Sequence, residues 1–421
     1  MSGWRDALKP VLVQAYSQAC ATVVQMAIAR REPERSFHRV AVVAALGRQN
    51  GIANGARLQC EMLRRMGIDA ELVDASPALR NPLFRVRHDA ATAYIVHCGG
   101  PQTPQLLSAV LPAAAHAWRI GYWAWELPDP PSDWNGFDRV LNEIWTPSRF
   151  AQESLRRLSG RPIEVVPHVV LPAPRRRRDA TRVFTVLSFG DSRSSLERKN
   201  PAGALAAFRA AFGDSPRARL VLKLGGPPGE HGAIERAAAG CANVSILRDF
   251  LTPAALAGLY RSADVLLSLH RAEGFGLPML EAMGHGIPVV ATGWSGNLDF
   301  MTNANAVLVP ARLVPVADGA GIYQGSVWAD PDIEVAAAAL RGLAEDPARW
   351  ERLSVAAHEA ALALSRRSPA AVTQLCRRRE QLRAVVAARI QGARLHGPSA
   401  PPTAMPAGVA TAWQHVEGDR R

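Results

Sequence analysis

Cysteine is sparse in this sequence, with five residues in 421, and no two of them have the Cys-x-x-Cys spacing. That spacing is typical of zinc sites and redox centres, so its absence argues against both, and nothing indicates a disulfide framework. We therefore interpret the cysteines as reduced residues of an intracellular protein.

Long apolar runs are also missing. A helix that spans a bilayer needs about 20 apolar residues. The nearest approach, residues 8–29, is interrupted by polar side chains such as Lys9, Gln14 and Gln25. Its polar flanks lack the pattern of a signal peptide. The sequence thus predicts a cytoplasmic protein without a membrane-spanning segment.

Lysine is scarce as well, because only three of the 49 basic residues are lysine and the rest are arginine. The formal net charge of +12 suits nucleic acid, anionic lipid or an acidic substrate. No nucleic-acid-binding motif accompanies the charge. We therefore expect a phosphorylated substrate rather than nucleic acid, and a peripheral contact with the anionic inner face of the plasma membrane.

Acidic metal-binding motifs are nearly absent, since the only Asp-x-Asp sequence is Asp330-Pro-Asp332. It comes just before a predicted helix that starts near Ile333, where Asp332 is better interpreted as the N-cap. No metal site is predicted.

The most informative segment that is present runs from residue 263 to residue 292. An apolar run of strand length, Ala263–Leu269, is followed by Gly274 and Gly276, which let the backbone turn tightly and approach a ligand. A short helix, Met279–Met283, then follows with Pro278 near its first position. A strand, a glycine-rich turn and a helix N-terminus together form a site for a phosphate group.

Two carboxylates flank this predicted anion site, Glu273 at the tip of the strand and Glu281 in the first turn of the helix. Carboxylates do not bind phosphate, but they accept hydrogen bonds from hydroxyls, and a sugar nucleotide carries hydroxyls on both sides of its diphosphate. The alternative is that Glu281 only complements the helix dipole and that Glu273 is a solvated loop residue.

A basic loop lies at the corresponding place one αβ unit earlier. Arg193 and Lys199 fall between a predicted buried strand, 182–189, and a predicted helix, 200–212. Open α/β sheets bind ligands at this edge, outside the carboxyl ends of their strands. In a chain that uses arginine almost everywhere, Lys199 is a candidate for a compact point charge. Arg198 is a near neighbour that could take the place of Arg193.

Strand-length apolar runs alternate with helical patterns along most of the chain, which predicts an α/β protein with two doubly wound, Rossmann-like domains facing a cleft. The predicted segments are, in chain order, an N-terminal helical extension (1–37), a first Rossmann-like domain (38–170), a basic Pro/Arg linker (171–180), a second Rossmann-like domain (181–365), C-terminal helices (366–396) and a disordered tail (397–421).

Several further features allow two interpretations each. Trp123, Trp125 and Glu126 end a predicted strand, where they could hold a sugar ring, or the two tryptophans could be core. His97, at another strand tip, is either a buried histidine or a group near the substrate. Residues 51–55 form a glycine-rich turn that either binds a phosphate or closes a corner.

The linker run Arg175–Arg178 is interpreted as a solvated surface, with contact to a membrane as the alternative.

The segment around Glu273 and Glu281 resembles the Glu-x7-Glu signature of the group 1 (family 4) retaining glycosyltransferases, which have the GT-B fold. The resemblance covers roughly residues 38–390, and it departs from many members at Leu269-His270, where they carry Pro-Ser. It implies that the first domain is on the acceptor side, that the second binds the nucleotide sugar and that the C-terminal helices cross back to the first domain. It implies that Glu273 faces the transferred sugar, that Glu281 binds the ribose, and that either Glu126 or His97 approaches the sugar. Further residues that it assigns to the donor are Arg193, Lys199, Arg198, Gly274, Phe275, Gly276 and Leu277.

The resemblance also implies a metal-independent hexosyltransferase without a cofactor. It would transfer a sugar from a nucleotide-diphosphate donor to a glycan or lipid-linked acceptor, as in the synthesis of bacterial surface polysaccharides. Two alternatives stay open: a GT-B epimerase or phosphorylase, and a catalytically silent module that binds sugar nucleotides or glycans.

Overall fold

The computed structural model describes residues 3–28, 39–47, 50–170, 173–227, 229–319 and 321–395. It divides into two compact units, Met1–Leu375 and Cys376–Arg421. The first unit contains all of the sheets and the whole candidate site. Of the second unit, the structure describes only a helical backbone that continues to Leu395. The tail predicted to be disordered, 397–421, lies outside the described residues.

The first sheet has six strands in the order β2-β1-β3-β4-β5-β6 within the described residues, and every pair of neighbours is parallel. Its strands are β1 Arg39–Ala44, β2 Asp69–Asp74, β3 Ala93–His97, β4 Trp118–Tyr122, β5 Glu143–Thr146 and β6 Ile163–Val165. Strands β1 and β3 are continuous apolar runs that are buried almost throughout, as expected for parallel strands covered on both faces.

The second sheet, again counted within the described residues, has six parallel strands in the order β12-β11-β10-β7-β8-β9. Its strands are β7 Phe184–Asp191, β8 Ala218–Gly225, β9 Val244–Leu247, β10 Val265–Ser268, β11 Val289–Thr292 and β12 Val307–Val309. The predicted fold class, two doubly wound α/β domains, is therefore confirmed.

Helices cover both sheets. They are α1 Gly3–Ile28, α2 Gly51–Arg65, α3 Gln102–Ala109, α4 Arg149–Leu155, α5 Leu196–Lys199, α6 Pro201–Phe212, α7 Gly232–Ala238, α8 Pro253–Ser262, α9 Leu277–Gly284, α10 Ile333–Glu345 and α11 Pro347–Leu395. Polar N-caps begin several of them, and Asp332 Oδ1 accepts a hydrogen bond of 3.0 Å from Val335 N at the start of α10. The sequence-based interpretation of Asp332 as an N-cap is correct.

Helix α1 packs on the first domain with one face and leaves the other exposed. Ser17 lies on the packed face, where its hydroxyl accepts a 2.9 Å hydrogen bond from Gln105. Val11, Leu12 and Met26 are more than 60% exposed. By length and composition alone, the stretch Val11–Ile28 is apolar enough to cross a membrane, although the sequence-based interpretation did not treat it so.

The predicted glycine-rich turn at residues 51–55 is wrong, because these residues form the first turns of α2. The Asn50 side chain caps this helix by accepting a 3.0 Å hydrogen bond from Ala53 N. The prediction failed because glycine is tolerated near a helix start, and the cap by Asn50 offsets part of the entropic cost of Gly51 and Gly55. Asn54 is thereby carried on a helix end that points toward the second domain.

A two-stranded antiparallel hairpin, β13 Ala311–Pro315 and β14 Val327–Pro331, follows β12 and was not predicted. It belongs to the second half of the chain, yet its Tyr323 and Trp328 lie in the same hydrophobic cluster as the core of the first domain. The hairpin thus packs across the two domains.

Three of the four linker arginines, Arg175, Arg176 and Arg178, bind groups of the protein and do not form a solvated surface, which corrects the sequence-based interpretation. Arg175 donates to Ser354 (3.0 Å) and to Glu351 (2.7 Å). Arg176 forms a buried ion pair of 2.8 Å with Asp264. Arginine side chains reach far enough to bind groups of the second domain, so the linker is fastened along it.

Arg178 completes this attachment by donating hydrogen bonds of 2.8 Å to the carbonyls of Leu343 and Ala344, at the carboxyl end of α10. These carbonyls lack partners within the helix, and a cation there also suits the helix dipole. We therefore expect Arg178→Ala to lower the free energy of unfolding by about 1.5–3 kcal/mol.

Arg177 is exposed and provides the matched control, because Arg177→Ala removes the same charge from the same run. Urea unfolding followed by circular dichroism compares the two variants. Equal losses in both would show that the Arg178 hydrogen bonds do not hold the linker.

Candidate active site

The candidate site lies at the carboxyl ends of β7 and β10, where the loop 269–276 leads into α9. Gly276 has φ 98°, in the left-handed region that favours glycine, and it precedes the first helical residue, Leu277. Gly274 packs so closely that a Cβ would lie 3.0 Å from the Trp125 carbonyl oxygen. Ser148 of the first domain donates a 2.6 Å hydrogen bond to the Gly274 carbonyl. Both domains therefore fix the path of this loop.

Glu273 sits at the centre of the site with its carboxylate in contact with two cations. Lys199 Nζ donates a short hydrogen bond to Glu273 Oε1, and Arg198 lies 3.5 Å from the same oxygen. Burial by itself raises the pKa of Glu273, but the positive charges of Lys199 and Arg198 outweigh it and lower this pKa to about 2. Glu273 is therefore an anion at any physiological pH.

Arg198 connects Glu273 to the first domain. It is buried, donates a 2.8 Å hydrogen bond to the Ala272 carbonyl, and lies 3.7 Å from the carboxylate of Glu126. Its guanidinium also lies 5.6 Å from the centre of the Tyr323 ring. Of the two groups that sequence reasoning left open, Glu126 therefore contacts Arg198, the same side chain that contacts Glu273.

Arg193 does not join this cluster. Its guanidinium donates hydrogen bonds of 2.7 and 2.9 Å to the carboxylate of Asp191, at the end of β7. Arg198, which sequence reasoning offered as a substitute for Arg193, contacts Glu273 together with Lys199, whereas Arg193 contacts Asp191. The spacing of charges along a loop cannot reveal this, because α5 turns Arg198 inward while Arg193 precedes that turn.

Glu281 lies on α9 in the second helical turn, not the first as predicted, because the helix begins earlier, at Leu277. Its carboxylate accepts hydrogen bonds of 2.8 Å from the Tyr260 hydroxyl and 3.0 Å from Asn54. Burial raises the pKa of Glu281, and these two hydrogen bonds only partly oppose the rise. The two glutamates of the motif thus differ in electrostatic character.

His97, Trp123 and Trp125 are structural rather than part of the cleft. His97 is buried, bonds through Nε2 to Gln59 at 2.5 Å, and stacks on Tyr122. Burial lowers the pKa of His97 well below its usual value, so the imidazole is neutral. Both indoles lie in the core with their N–H groups bonded within the domain. The interpretation of the tryptophans as sugar-stacking groups is wrong.

Three residues near the two glutamates were missed by sequence reasoning: Asn54, Tyr260 and Tyr323. Asn54 was assigned to a turn, and Tyr260 lies in α8, which carries no motif. Tyr323 belongs to the unpredicted hairpin. No sequence pattern pointed to any of the three.

A small cavity opens between these elements. It is lined by Phe189, Lys199, Glu273, Pro278 and Met279, together with the end of β10. Its walls combine apolar side chains with one cation and one anion.

Solved structures with the same architecture identify the fold as GT-B. Sucrose-phosphate synthase from Thermosynechococcus elongatus is 16% identical with a TM-score of 0.58, covering 82% of this chain and 100% of that chain. HepE from Anabaena, in complex with UDP-glucose, is 14% identical with a TM-score of 0.54, covering 82% of this chain and 99% of that chain. At these identities the likeness shows the fold.

The chain is also similar to TarM of S. aureus, which is 14% identical with a TM-score of 0.48 over 64% of this chain. This chain spans only about half of the TarM chain, 52% of its length. No curated protein sequence matches the chain.

The class of the protein is given by a family match and is that of the glycosyltransferases. A family model described as family 4 glycosyltransferase in conflict systems matches residues 148–374, more than half of the 421 residues. The chain belongs to this family. The matched residues include the basic loop, both glutamates and the hairpin.

The pairing of Glu273 predicts a pH-dependent contribution to stability. The folded-state pKa of about 2 lies below the usual 4.5, so the contribution is complete above the usual pKa and is lost as the pH falls toward the folded-state value. Glu273→Gln removes the anion of Lys199 and leaves Arg198 with Glu126 alone, so we expect the free energy of unfolding to fall by about 3–5 kcal/mol near pH 7.

Urea unfolding of wild type and Glu273→Gln at several pH values measures this difference, with exposed Glu334→Gln as the control. The difference in free energy of unfolding between wild type and Glu273→Gln should decrease steadily below about pH 4.5. A gap that stays constant with pH would mean that Glu273 is not held ionised by its neighbours.

Proposed function

We propose that this glycosyltransferase is a retaining, metal-independent enzyme that transfers a hexose from a nucleotide-diphosphate donor to a glycan or lipid-linked acceptor. The observation that carries the proposal is the arrangement of Glu273 and Glu281 on either side of a glycine-rich helix N-terminus. Lys199 stands at the same cavity. HepE, which has this fold, was solved with UDP-glucose, and this supports a sugar nucleotide as the donor.

Glu281 would bind the ribose of the donor. Its carboxylate already accepts hydrogen bonds from Tyr260 and Asn54, and each oxygen retains capacity for another donor. Tyr260 holds the carboxylate from within the second domain, whereas Asn54 reaches it from the first. The ribose site is therefore built where the two domains meet.

Lys199 would neutralise the charge that grows on the diphosphate as its bond to the sugar breaks. Its ammonium borders the cavity and is fixed by Glu273, so little reorganisation is needed during the reaction. The N–H groups at the start of α9 point the positive end of a helix dipole at the same region. Arg193 lies at the rim of this edge and would add charge on release from Asp191.

Glu273 would orient the sugar rather than take a proton from the acceptor. A general base works best with a pKa near the operating pH, and a carboxylate with a pKa of about 2 is far from it. In the retaining reaction that we propose, the departing phosphate oxygen would take the proton of the acceptor. The acceptor would approach from the face that the diphosphate leaves, so that the anomeric configuration is kept.

A peripheral membrane contact would bring the enzyme to a lipid-linked acceptor, as in surface polysaccharide or glycoconjugate synthesis on the cytoplasmic side. The exposed apolar side chains of α1, Val11, Leu12 and Met26 among them, favour such a contact. Arg175 and Arg178 of the linker do not support a membrane contact, because their side chains bind the second domain.

A panel of UDP-, GDP-, ADP- and dTDP-sugars tests the function. Thermal shift identifies the donor that binds, and release of the nucleoside diphosphate, with and without candidate acceptors and with and without EDTA, measures turnover. Tight binding without any turnover would instead support a silent binding module, and dependence on a divalent metal would overturn the metal-independent mechanism.

Glu281→Gln should weaken binding of the free nucleoside diphosphate about 10- to 100-fold. The amide group presents a donor where Tyr260 or Asn54 also donates, so a charge-assisted hydrogen bond is lost. Isothermal titration with UDP, GDP, ADP and dTDP measures the dissociation constants. Glu334→Gln, at an exposed residue of α10, is the control. Unchanged affinity for the preferred nucleotide would remove Glu281 from the ribose site.

Lys199→Ala should lower kcat and kcat/KM together by at least about 100-fold, because the charge that Lys199 meets grows in the transition state. Lys199→Arg should recover only part, since a planar guanidinium does not reproduce the ammonium contact. Lys223→Ala is the matched control: its ammonium donates to the Leu224 carbonyl at 3.0 Å, not to Glu273. Equal turnover of the Lys199→Ala and Lys223→Ala variants would contradict the role.

A further inference from the structure

Tyr260 is a buried side chain in contact with α9, the helix that carries Glu281. Of the residues of α8, all of which the structure describes, Tyr260 alone is buried, with 2% of its surface exposed. Its ring lies 5.6 Å from the ring of Phe189, which lines the cavity, and stacks on His285 at 5.5 Å. The ring is thus packed against the cavity wall and against the end of α9.

The hydroxyl of Tyr260 donates a hydrogen bond of 2.8 Å to Glu281 Oε2. The Pro278 carbonyl lies farther away, at 3.3 Å, and it is uncharged. A hydroxyl has one proton to donate, and a carboxylate is the stronger acceptor. Burial raises the pKa of Tyr260 well above its usual value, and the charge of Glu281 adds to the rise, so the hydroxyl keeps its proton and acts as the donor.

The two oxygens of the Glu281 carboxylate have different partners. Tyr260 binds Oε2 and Asn54 binds Oε1, at 2.8 and 3.0 Å. Hydrogen bonds to both oxygens oppose rotation of the carboxylate about its last bond. With Asn54 alone, the carboxylate could turn about one fixed oxygen. Tyr260 therefore sets the direction in which the remaining lone pairs of Glu281 point.

Both of these donors are neutral, which distinguishes Glu281 from Glu273 and its two cations. Each oxygen of a carboxylate can accept two hydrogen bonds, so each oxygen of Glu281 keeps one site for a further donor. The side chain is only half-buried. A carboxylate that is fixed in direction and still short of donors is suited to accept hydroxyls at defined places.

We propose that Tyr260 is a positioning residue, which orients the Glu281 carboxylate so that it binds the ribose hydroxyls of the donor nucleotide. The inference rests on the proposed function, in which Glu281 lies at the ribose. It adds that recognition of the ribose depends on α8 as well as on α9.

Tyr260→Phe tests the proposal, because it keeps the ring and removes the hydroxyl alone. UDP and 2′,3′-dideoxy-UDP are the probes, replaced by the corresponding pair for GDP, ADP or dTDP if wild type binds that nucleotide more tightly. In isothermal titration, Tyr260→Phe should bind the nucleotide that has its ribose hydroxyls about 5- to 20-fold more weakly than wild type does. For the dideoxy form the loss should stay below about twofold, because that ligand offers Glu281 no ribose hydroxyl.

A role confined to stability would weaken both ligands equally, so equal losses would overturn the proposal, as would wild-type affinity of Tyr260→Phe for both. Tyr94→Phe is the matched control, since its buried hydroxyl accepts a 3.3 Å hydrogen bond from Ala91 N in the first domain. It should bind both ligands as wild type does. With the sugar nucleotide at saturation, kcat of Tyr260→Phe should change less than about threefold while KM rises, because the ribose contact is the same in the ground state and the transition state.

A double variant shows whether Tyr260 acts through Glu281. If it does, adding Tyr260→Phe to Glu281→Gln should weaken binding of the nucleotide by less than about twofold further, so that the two losses do not add. Losses that add fully would show that Tyr260 acts on the nucleotide by another route, and would overturn the proposal.

The wild-type measurements separate this inference from the proposed function. If wild type binds the nucleotide but turns over no sugar nucleotide, the proposed function fails, and the ribose-dependent loss in Tyr260→Phe still decides the inference. If wild type is active and Tyr260→Phe binds both ligands equally well as wild type, only the inference fails. If wild type binds no nucleotide, both fail.

Discussion

The pairing of a buried carboxylate with two cations is the interaction on which the rest of the site depends. Glu273 alone would be costly to bury as an anion, and Arg198 and Lys199 would be costly to bury as unpaired cations. Together they fix the tip of the loop after β10 and the end of α5 against each other. The cleft thus holds charges that are ready in place before a ligand arrives.

The same arrangement explains why the two domains meet where they do. Arg198 extends the charge cluster to Glu126 of the first domain. On the other side of the glycine-rich loop, Asn54 of the first domain bonds to Glu281 of the second. Each glutamate of the motif therefore has a direct or indirect partner in the first domain.

The sequence allowed the fold and the glutamate motif to be predicted because both rest on local patterns. Buried parallel strands such as β1 are continuous apolar runs, and a glycine-rich turn before a helix signals an anion site within a few residues. Lys199 could be singled out because lysine is so scarce in this chain.

What could not be predicted depends on contacts between residues far apart in sequence. Arg198, and not Arg193, contacts Glu273 because α5 turns at Ser195. That turn is stabilised by Asp318, more than a hundred residues later in the sequence. Tyr260 and Tyr323 carry no local signal, since each becomes part of the site only through folding. The prediction of a solvated linker failed for the same reason, because Arg175 and Arg178 bind residues of α11 and α10 that are far away in the sequence.

The central claim is that Lys199, Glu273 and Glu281 form one donor site, with the diphosphate at the first and the ribose at the last. A crystal structure of the enzyme with a non-hydrolysable analogue of its preferred sugar nucleotide tests it most directly. The account predicts a diphosphate oxygen within hydrogen-bonding distance of Lys199 Nζ, ribose hydroxyls on Glu281 and the sugar against Glu273. A nucleotide bound elsewhere on the molecule, or bound in the cleft with its ribose away from Glu281, would contradict it.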